Sequence, residues 1–214
     1  MASRLRARTG HRFELITDPM DLSFEHLAEI NPDYIFFPHW SHRIEKQILN
    51  RFDCVIFHMT DLPFGRGGSP LQNLIAQGIN ETQITALKCV AEMDAGPVYL
   101  KRPLSLYGAA QEIYLRASTV IEDMIVDILN NRPASVPQQG EPTIFKRRTP
   151  EQSNLAKATS LEEAFDLIRM QDADGYPHAF LEVGPFRFEF TRAARKTDFL
   201  LADVRIALLP DKSD

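Results

Sequence analysis

Short apolar runs alternate with helical patterns over the first hundred residues. Phe13 to Ile16 reads as a short strand. From Asp21 to Ile30, apolar residues (Leu22, Phe24, Leu27, Ala28, Ile30) recur near helical spacing. Asn31-Pro32-Asp33 stops that helix, because proline disfavours helical geometry before it and lacks an N–H. Tyr34 to Phe37 is a continuous apolar run, as in a strand buried on both faces. Ser41 is placed to cap a helix running to about Leu49. Cys54 to Phe57 predicts a third strand, Pro70 to Gly78 a short helix closed by glycine, Ile84 to Val90 a fourth strand and Pro97 to Leu100 a fifth. Gly108 to Leu129 is the longest helical pattern, with Ile113, Leu115, Val120, Met124, Ile125, Ile128 and Leu129 on its apolar side.

Strand–helix–strand alternation points to an α/β fold with a mostly parallel sheet. Right-handed crossovers would gather the strand ends, and any active site, along one carboxyl edge. Residues 1–130 form the expected catalytic domain. Residues 131–154 change character: Pro133, Pro137, Pro142 and Pro150, with polar residues between, predict an extended crossing. Residues 155–214 predict a small helix and strand segment: a helix over Leu161 to Met170, a hairpin of Ala179 to Val183 with Phe186 to Phe190 around Gly184-Pro185, and a strand over Leu200 to Leu209.

Composition narrows the classes. The 214 residues suffice for one domain with a sizeable core, and 44% hydrophobic with 25% charged residues excludes disorder and collagen-like repeats. A net charge of −5 weighs against a whole-chain nucleic-acid binder. Cys54 and Cys89 both lie in apolar segments, as buried thiols of a reducing compartment do. No apolar stretch is long enough to span a bilayer. Arg4, Arg6, Arg8 and Arg12 lack the apolar run of a secretory signal; they read as a solvated, frayed start or an anion-contacting arm. The expected location is cytoplasmic.

Chemistry concentrates in two segments. His58 ends a buried strand and is followed by a loop, Met59 to Pro70, with three glycines and two prolines. Glycines let backbone approach a ligand closely. Neither a phosphate loop nor a dinucleotide fingerprint fits, because no Gly-Lys-Ser/Thr follows and the glycine spacing differs. The second segment is Glu92 to Tyr99, where Asp94 follows the fourth strand in a Gly-Pro turn. A histidine and an aspartate at neighbouring strand ends could meet as an acid–base pair. His39 and His42 are spaced as metal ligands on a helix, but no third ligand stands nearby in sequence and no metal is expected.

In order, His58, Leu62-Pro63, Arg66-Gly67, Pro70-Leu71-Gln72 and Asp94-Ala95-Gly96 resemble the signature of the N10-formyltetrahydrofolate-dependent formyltransferases. That family shows Asn-x-His, Leu-Pro-x-x-Arg-Gly, and Asp-x-Gly at the interval seen here, with Asp94 36 residues after His58. Pro137 to Pro142 and Arg147-Arg148-x-Pro150-Glu151 extend the resemblance across the crossing. Within the family, Asp172 to Phe180 looks most like the sugar N-formyltransferases. Two departures stand out: the family asparagine falls on Ile56, and the stretch before His58 is about half the usual lead, so the Rossmann-like sheet is expected to be truncated.

The resemblance implies transfer of a formyl group from N10-formyltetrahydrofolate to an amine, with an amino-sugar nucleotide as acceptor. Alternatives are methionyl-tRNA, a carrier-bound aminoacyl group, hydrolysis of the formyl-folate, or a folate-binding relic. Nucleic acid and membrane are not the expected partners. His58 would hold the formyl oxygen or shuttle the proton, and Asp94 would orient His58 and help accept the proton. Backbone around Pro38, His39, Trp40 and Ser41, and around Ala91, Glu92 and Met93, would bind the pterin. Thr60, Gly65, Arg66 and Gly67 are candidate loop donors replacing the asparagine, with Arg66 expected to brace its loop through carbonyls. The aromatic C-terminal hairpin needs a covering surface, and a homodimer is the expected arrangement.

Overall fold

A computed structural model describes residues 1–209. In chain order its elements are α1 (Ala2–Thr9), α2 (Phe24–Ile30), β1 (Ile35–Phe37), α3 (Lys46–Arg51), β2 (Cys54–His58), β3 (Arg66–Gly67), α4 (Pro70–Ala76), β4 (Glu81–Lys88), β5 (Val98–Ser105), α5 (Ala110–Asn131), β6 (Ile144–Phe145), α6 (Leu161–Arg169), β7 (Ala179–Val183), β8 (Phe186–Arg195) and β9 (Leu200–Leu208). They fall into two compact units. One comprises Met1–Pro70, Thr82–Leu104 and Arg116–Phe145; the other comprises Leu71–Glu81, Ser105–Leu115 and the described residues from Lys146 onward.

The first unit is built on a four-stranded sheet of order β1-β2-β4-β5. β1 and β2 are parallel, with Ile35 opposite Cys54. β2 and β4 are antiparallel, with Val55 opposite Lys88 and His58 opposite Thr85. The sheet is therefore mixed, not mostly parallel. Apolar runs predict that strands exist but carry no information about their direction. Leu27, Phe37, Ile48, Phe52 and Cys54 form a buried cluster, against which Trp40, Ile56 and Cys89 pack. In α5, Ile113, Ala117, Ile121, Met124 and Ile128 are fully buried, at the three- and four-residue spacing of one helix face.

Three local expectations give way. Phe13 to Ile16 forms no strand. Ser41 caps nothing: α3 begins only at Lys46, behind Glu45. The arginine-rich start is an ordered helix, with Leu5 buried. Arg4 and Arg8 both hydrogen-bond the buried Glu122 carboxylate, and Arg8 also pairs with Asp123 at 2.8 Å. A buried carboxylate needs such partners, so these arginines serve the helix they cover.

In the second unit, Ser160 caps α6 by accepting from the Glu163 N–H, and Glu163 reaches back to the Thr159 N–H. β7, β8 and β9 form an antiparallel sheet. The hairpin is present and longer than expected, because β8 continues to Arg195 past an irregularity between Thr191 and Ala194. No helix among the described residues is long and apolar enough to cross a membrane.

Candidate active site

β2 alternates its side chains, so Ile56 and His58 share a face. His58 is the last residue of that strand, and its side chain is 9% exposed. Its Nε2 lies 2.8 Å from the Gly65 carbonyl oxygen. A carbonyl only accepts, so Nε2 carries the proton and Nδ1 is the nitrogen left for chemistry. Nδ1 faces Asp94 Oδ2 at 3.6 Å, and the Asp94 side chain is equally buried.

The two meet, though not by sharing a sheet edge. Because β4 runs against β2, its last residue, Lys88, lies beside Val55 at the start of β2. The following strap, residues 89–97, carries Asp94 back to the His58 end. Asp94 sits there with φ 53, a left-handed conformation that aspartate tolerates better than most residues. Its Oδ2 accepts from the Gly67 N–H at 2.9 Å, which fixes the carboxylate.

The glycine-rich loop is fully committed. Gly65 N–H donates to Thr143 Oγ1, Arg66 N–H to the Thr143 carbonyl, Gly67 N–H to Asp94 and Gly68 N–H to the Phe145 carbonyl. Thr60 is buried, and its hydroxyl donates to the Gly65 carbonyl at 3.4 Å. The donor role expected of Thr60, Gly65, Arg66 and Gly67 toward a substrate is thus taken up by the loop's own folding. Loop glycines signal close approach, and here the approaching chain is β6. A Cβ on Gly67, at φ 109, would stand 2.4 Å from the Phe145 carbonyl oxygen.

Gln138 was legible only as part of a proline-flanked stretch, yet it locks the site. Its Nε2 donates to the carbonyls of Asp94 and Gly96 at 2.7 and 2.9 Å. Its Oε1 accepts from Arg66 Nε and Nη2 at 3.2 and 2.9 Å. Arg66 therefore braces through side-chain oxygens, Gln138 and Glu92, rather than through carbonyls. A polar residue amid turn-forming prolines was the available signal.

Pro38, His39, Trp40 and Ser41 form the turn after β1, with His39 at φ 56. His39 Nε2 lies 3.4 Å from Ser118 Oγ, and Trp40 packs on the rings of Phe37 and His42. Ala91, Glu92 and Met93 lie on the strap after β4, with Met93 fully outside the core. The two stretches follow the strands that flank β2. Burial pushes the Cys54 thiol up to about 12 and raises the Cys89 thiol as well, so neither is a nucleophile near neutral pH. Ile56, in the slot of the resembled family's asparagine, is packed against the apolar cluster.

Residues 150–207 match the family described as methionyl-tRNA formyltransferase, C-terminal domain. A methionyl-tRNA formyltransferase from Lactobacillus gasseri is 26% identical over 185 residues, covering 81% of this chain and 58% of that protein. This chain thus spans little more than half of that relative's length. The solved structure of a methionyl-tRNA formyltransferase from Clostridium thermocellum is 48% identical, covers 97% of this chain and 92% of its own, and superimposes with a TM-score of 0.93. HypX from Aquifex aeolicus, solved in complex with tetrahydrofolic acid, shares the fold at 20% identity and a TM-score of 0.66, over 81% of this chain and 31% of its own.

Proposed function

This chain belongs to the formyltransferase family, and from that premise we propose that it moves a formyl group from N10-formyltetrahydrofolate to the amine of methionyl-tRNA. The likeness to the Clostridium thermocellum protein supports this acceptor over the amino-sugar nucleotide suggested by Asp172 to Phe180. The observation that carries the chemistry is the buried His58–Asp94 pair, with Nε2 against the Gly65 carbonyl and Nδ1 toward Asp94.

In this reading the amine attacks the formyl carbon and forms a tetrahedral oxyanion. Neutral His58 takes the amine proton on Nδ1, and Asp94 stabilises the imidazolium that results. That cation then faces the oxyanion as a charge-assisted donor, the role an asparagine at position 56 would otherwise help fill. Collapse releases tetrahydrofolate, with the proton returned to the leaving nitrogen. The stretches at Pro38 to Ser41 and Ala91 to Met93 would hold the pterin through backbone groups. Residues 1–130 would carry the chemistry, 131–154 the crossing that supplies Gln138, and 155–214 the recognition and pairing surfaces. Two unpaired thiols, Cys54 buried and Cys89 partly buried, and a folate donor suit a cytoplasmic enzyme.

Arg192 pairs with Asp203 and Arg195 with Glu162. Phosphates reaching this basic cluster must compete with these pairs, so transfer to tRNA is expected to weaken with salt. Self-association through the C-terminal sheet completes the proposal. Steady-state transfer with methionyl-tRNA, amino-sugar nucleotides, a carrier-bound aminoacyl group and no acceptor tests it. Turnover with tRNA alone supports the reading; turnover only with a sugar nucleotide, or with water, replaces it.

A further inference from the structure

β1 is an edge strand. Ile35 N–H bonds the Asp53 carbonyl on β2. Alternate residues of a parallel strand face the partner, so Phe36 turns its N–H and C=O to the open edge. A cavity of about 590 Å3 runs along β1, inside the first unit. Phe13, Leu15, Leu22, Tyr34, Phe36 and Leu129 are among its walls. Pockets for small molecules occupy roughly 300–1,000 Å3 and are mostly apolar with a few convergent polar groups. Neither His58 nor Asp94 lines it.

Two donors at this cavity lack acceptors. Trp40 lines it, and its Nε1 is buried with no hydrogen-bond partner. Arg132 also lines it, just beyond the C-terminal end of α5, exposed and at φ 41. Its guanidinium forms no bond or ion pair among the described residues. Arg12, a second lining cation, is paired with Glu14 at 3.2 Å. The indole N–H is sealed from solvent, whereas Arg132 is exposed and a permanent cation open to an anion. We infer that this cavity is a binding site for a small apolar molecule with an anionic end, its body along β1 and its charge at Arg132. Asp33 also lines the cavity with the opposite charge, which makes an amine the contrasting probe. The inference does not rest on the formyl-transfer reading and survives if that reading fails.

The chain has a single tryptophan, so its indole N–H gives one cross-peak in a 15N-labelled sample. Titration with dodecanoate should move that resonance saturably. Dodecanol and dodecylamine, with the same chain length, should bind about tenfold more weakly or worse, as loss of a charge-assisted bond implies. Arg132→Ala and the more conservative Arg132→Gln should both bring dodecanoate down to the dodecanol level and leave dodecanol unchanged. Because Trp40 lies in the stretch proposed for the pterin, tetrahydrofolate is the competitor. Displacement of dodecanoate by tetrahydrofolate would assign the cavity to the folate site and overturn the inference. So would equal binding of acid and amine, a non-saturable shift, or indifference to both Arg132 variants.

Discussion

The site around His58 and the C-terminal sheet solve opposite problems. At the site, polar groups are buried and bonded to one another: His58 to Gly65, Asp94 to Gly67, Gln138 to both loops. In the C-terminal sheet, directly paired residues share a face, and one face carries Leu181, Val183, Phe186, Phe188, Phe190, Val204, Ile206 and Leu208. Val183, Val204, Ile206 and Leu208 are exposed there. The other face is tied by Arg187 to Glu182 and Glu189, and by Arg205 to Glu189. A satisfied polar network fixes geometry and leaves little for a partner to add. An uncovered apolar face fixes little by itself and gains from being covered. Substitutions in the two regions should therefore separate turnover from association.

The largest effect is expected at the pair itself. His58→Ala and Asp94→Asn should each lower turnover by about 10²–10⁴, the usual worth of a positioned proton-transfer group. Folding, followed by circular dichroism, should be retained. Turnover within a few-fold of wild type would make the pair structural. Gln138→Ala comes next. It removes one of the two side-chain acceptors of Arg66 and leaves two strap carbonyls without their donor. We expect a loss of about 1–2 kcal/mol, since these hydrogen bonds are partly buried. Turnover should fall by more than folate affinity does, because the strap that aims Asp94 loosens. A changed pH profile would mark Gln138 as a positioning residue; an unchanged one would confine it to stability.

How far the sequence could be read follows from the same contrast. His58 and Asp94 were legible because each stands beside turn chemistry that has a local signature: three glycines and two prolines in one case, Gly-Pro in the other. α5 was legible from periodicity, β2 from its apolar run, and the β7–β8 hairpin from alternation around Gly184-Pro185. The antiparallel course of β4 was not, since Ile84 to Val90 reads the same in either direction. Nor was the strap's return, which depends on Asp94 adopting φ 53 and on a glutamine 44 residues away. At the loop, glycine reports that something comes close, not what; here it is Phe145. Arg4 and Arg8 looked free because their partner, Glu122, is more than a hundred residues distant.

Ile56→Asn has a smaller expected effect and probes the border between polar site and apolar core. The side chain lies on the His58 face but packs against the cluster of Leu27, Phe37, Ile48, Phe52 and Cys54. An amide there would be left poorly partnered, at a cost of about 1–3 kcal/mol. In a chain of this size each kcal/mol lowers Tm by roughly 2–4 °C. Thermal unfolding should show that drop, with no gain in turnover. A rise in turnover would mean that the imidazolium alone does not serve the oxyanion and that position 56 can still supply a donor.

The smallest effect on catalysis is expected from the C-terminal sheet. Ile206 is 60% exposed in the C-terminal half of β9, on the apolar face and opposite Phe188. Ile206→Lys puts a solvated charge into that face without disturbing a buried group, since a lysine there can extend into water. If a second copy covers the face, the charge must be desolvated on association, and sedimentation at micromolar concentration should shift from dimer to monomer. Turnover should stay within about twofold, because surface substitutions away from packed or bonded groups change stability little and none of the His58 hydrogen bonds involves β9. A wild-type monomer would sink the pairing proposal outright. A dimer indifferent to Ile206→Lys would place the interface elsewhere. A large fall in turnover alongside dissociation would show that the apolar sheet contributes to the site through its partner, and the division between a self-sufficient site and an association surface would no longer hold.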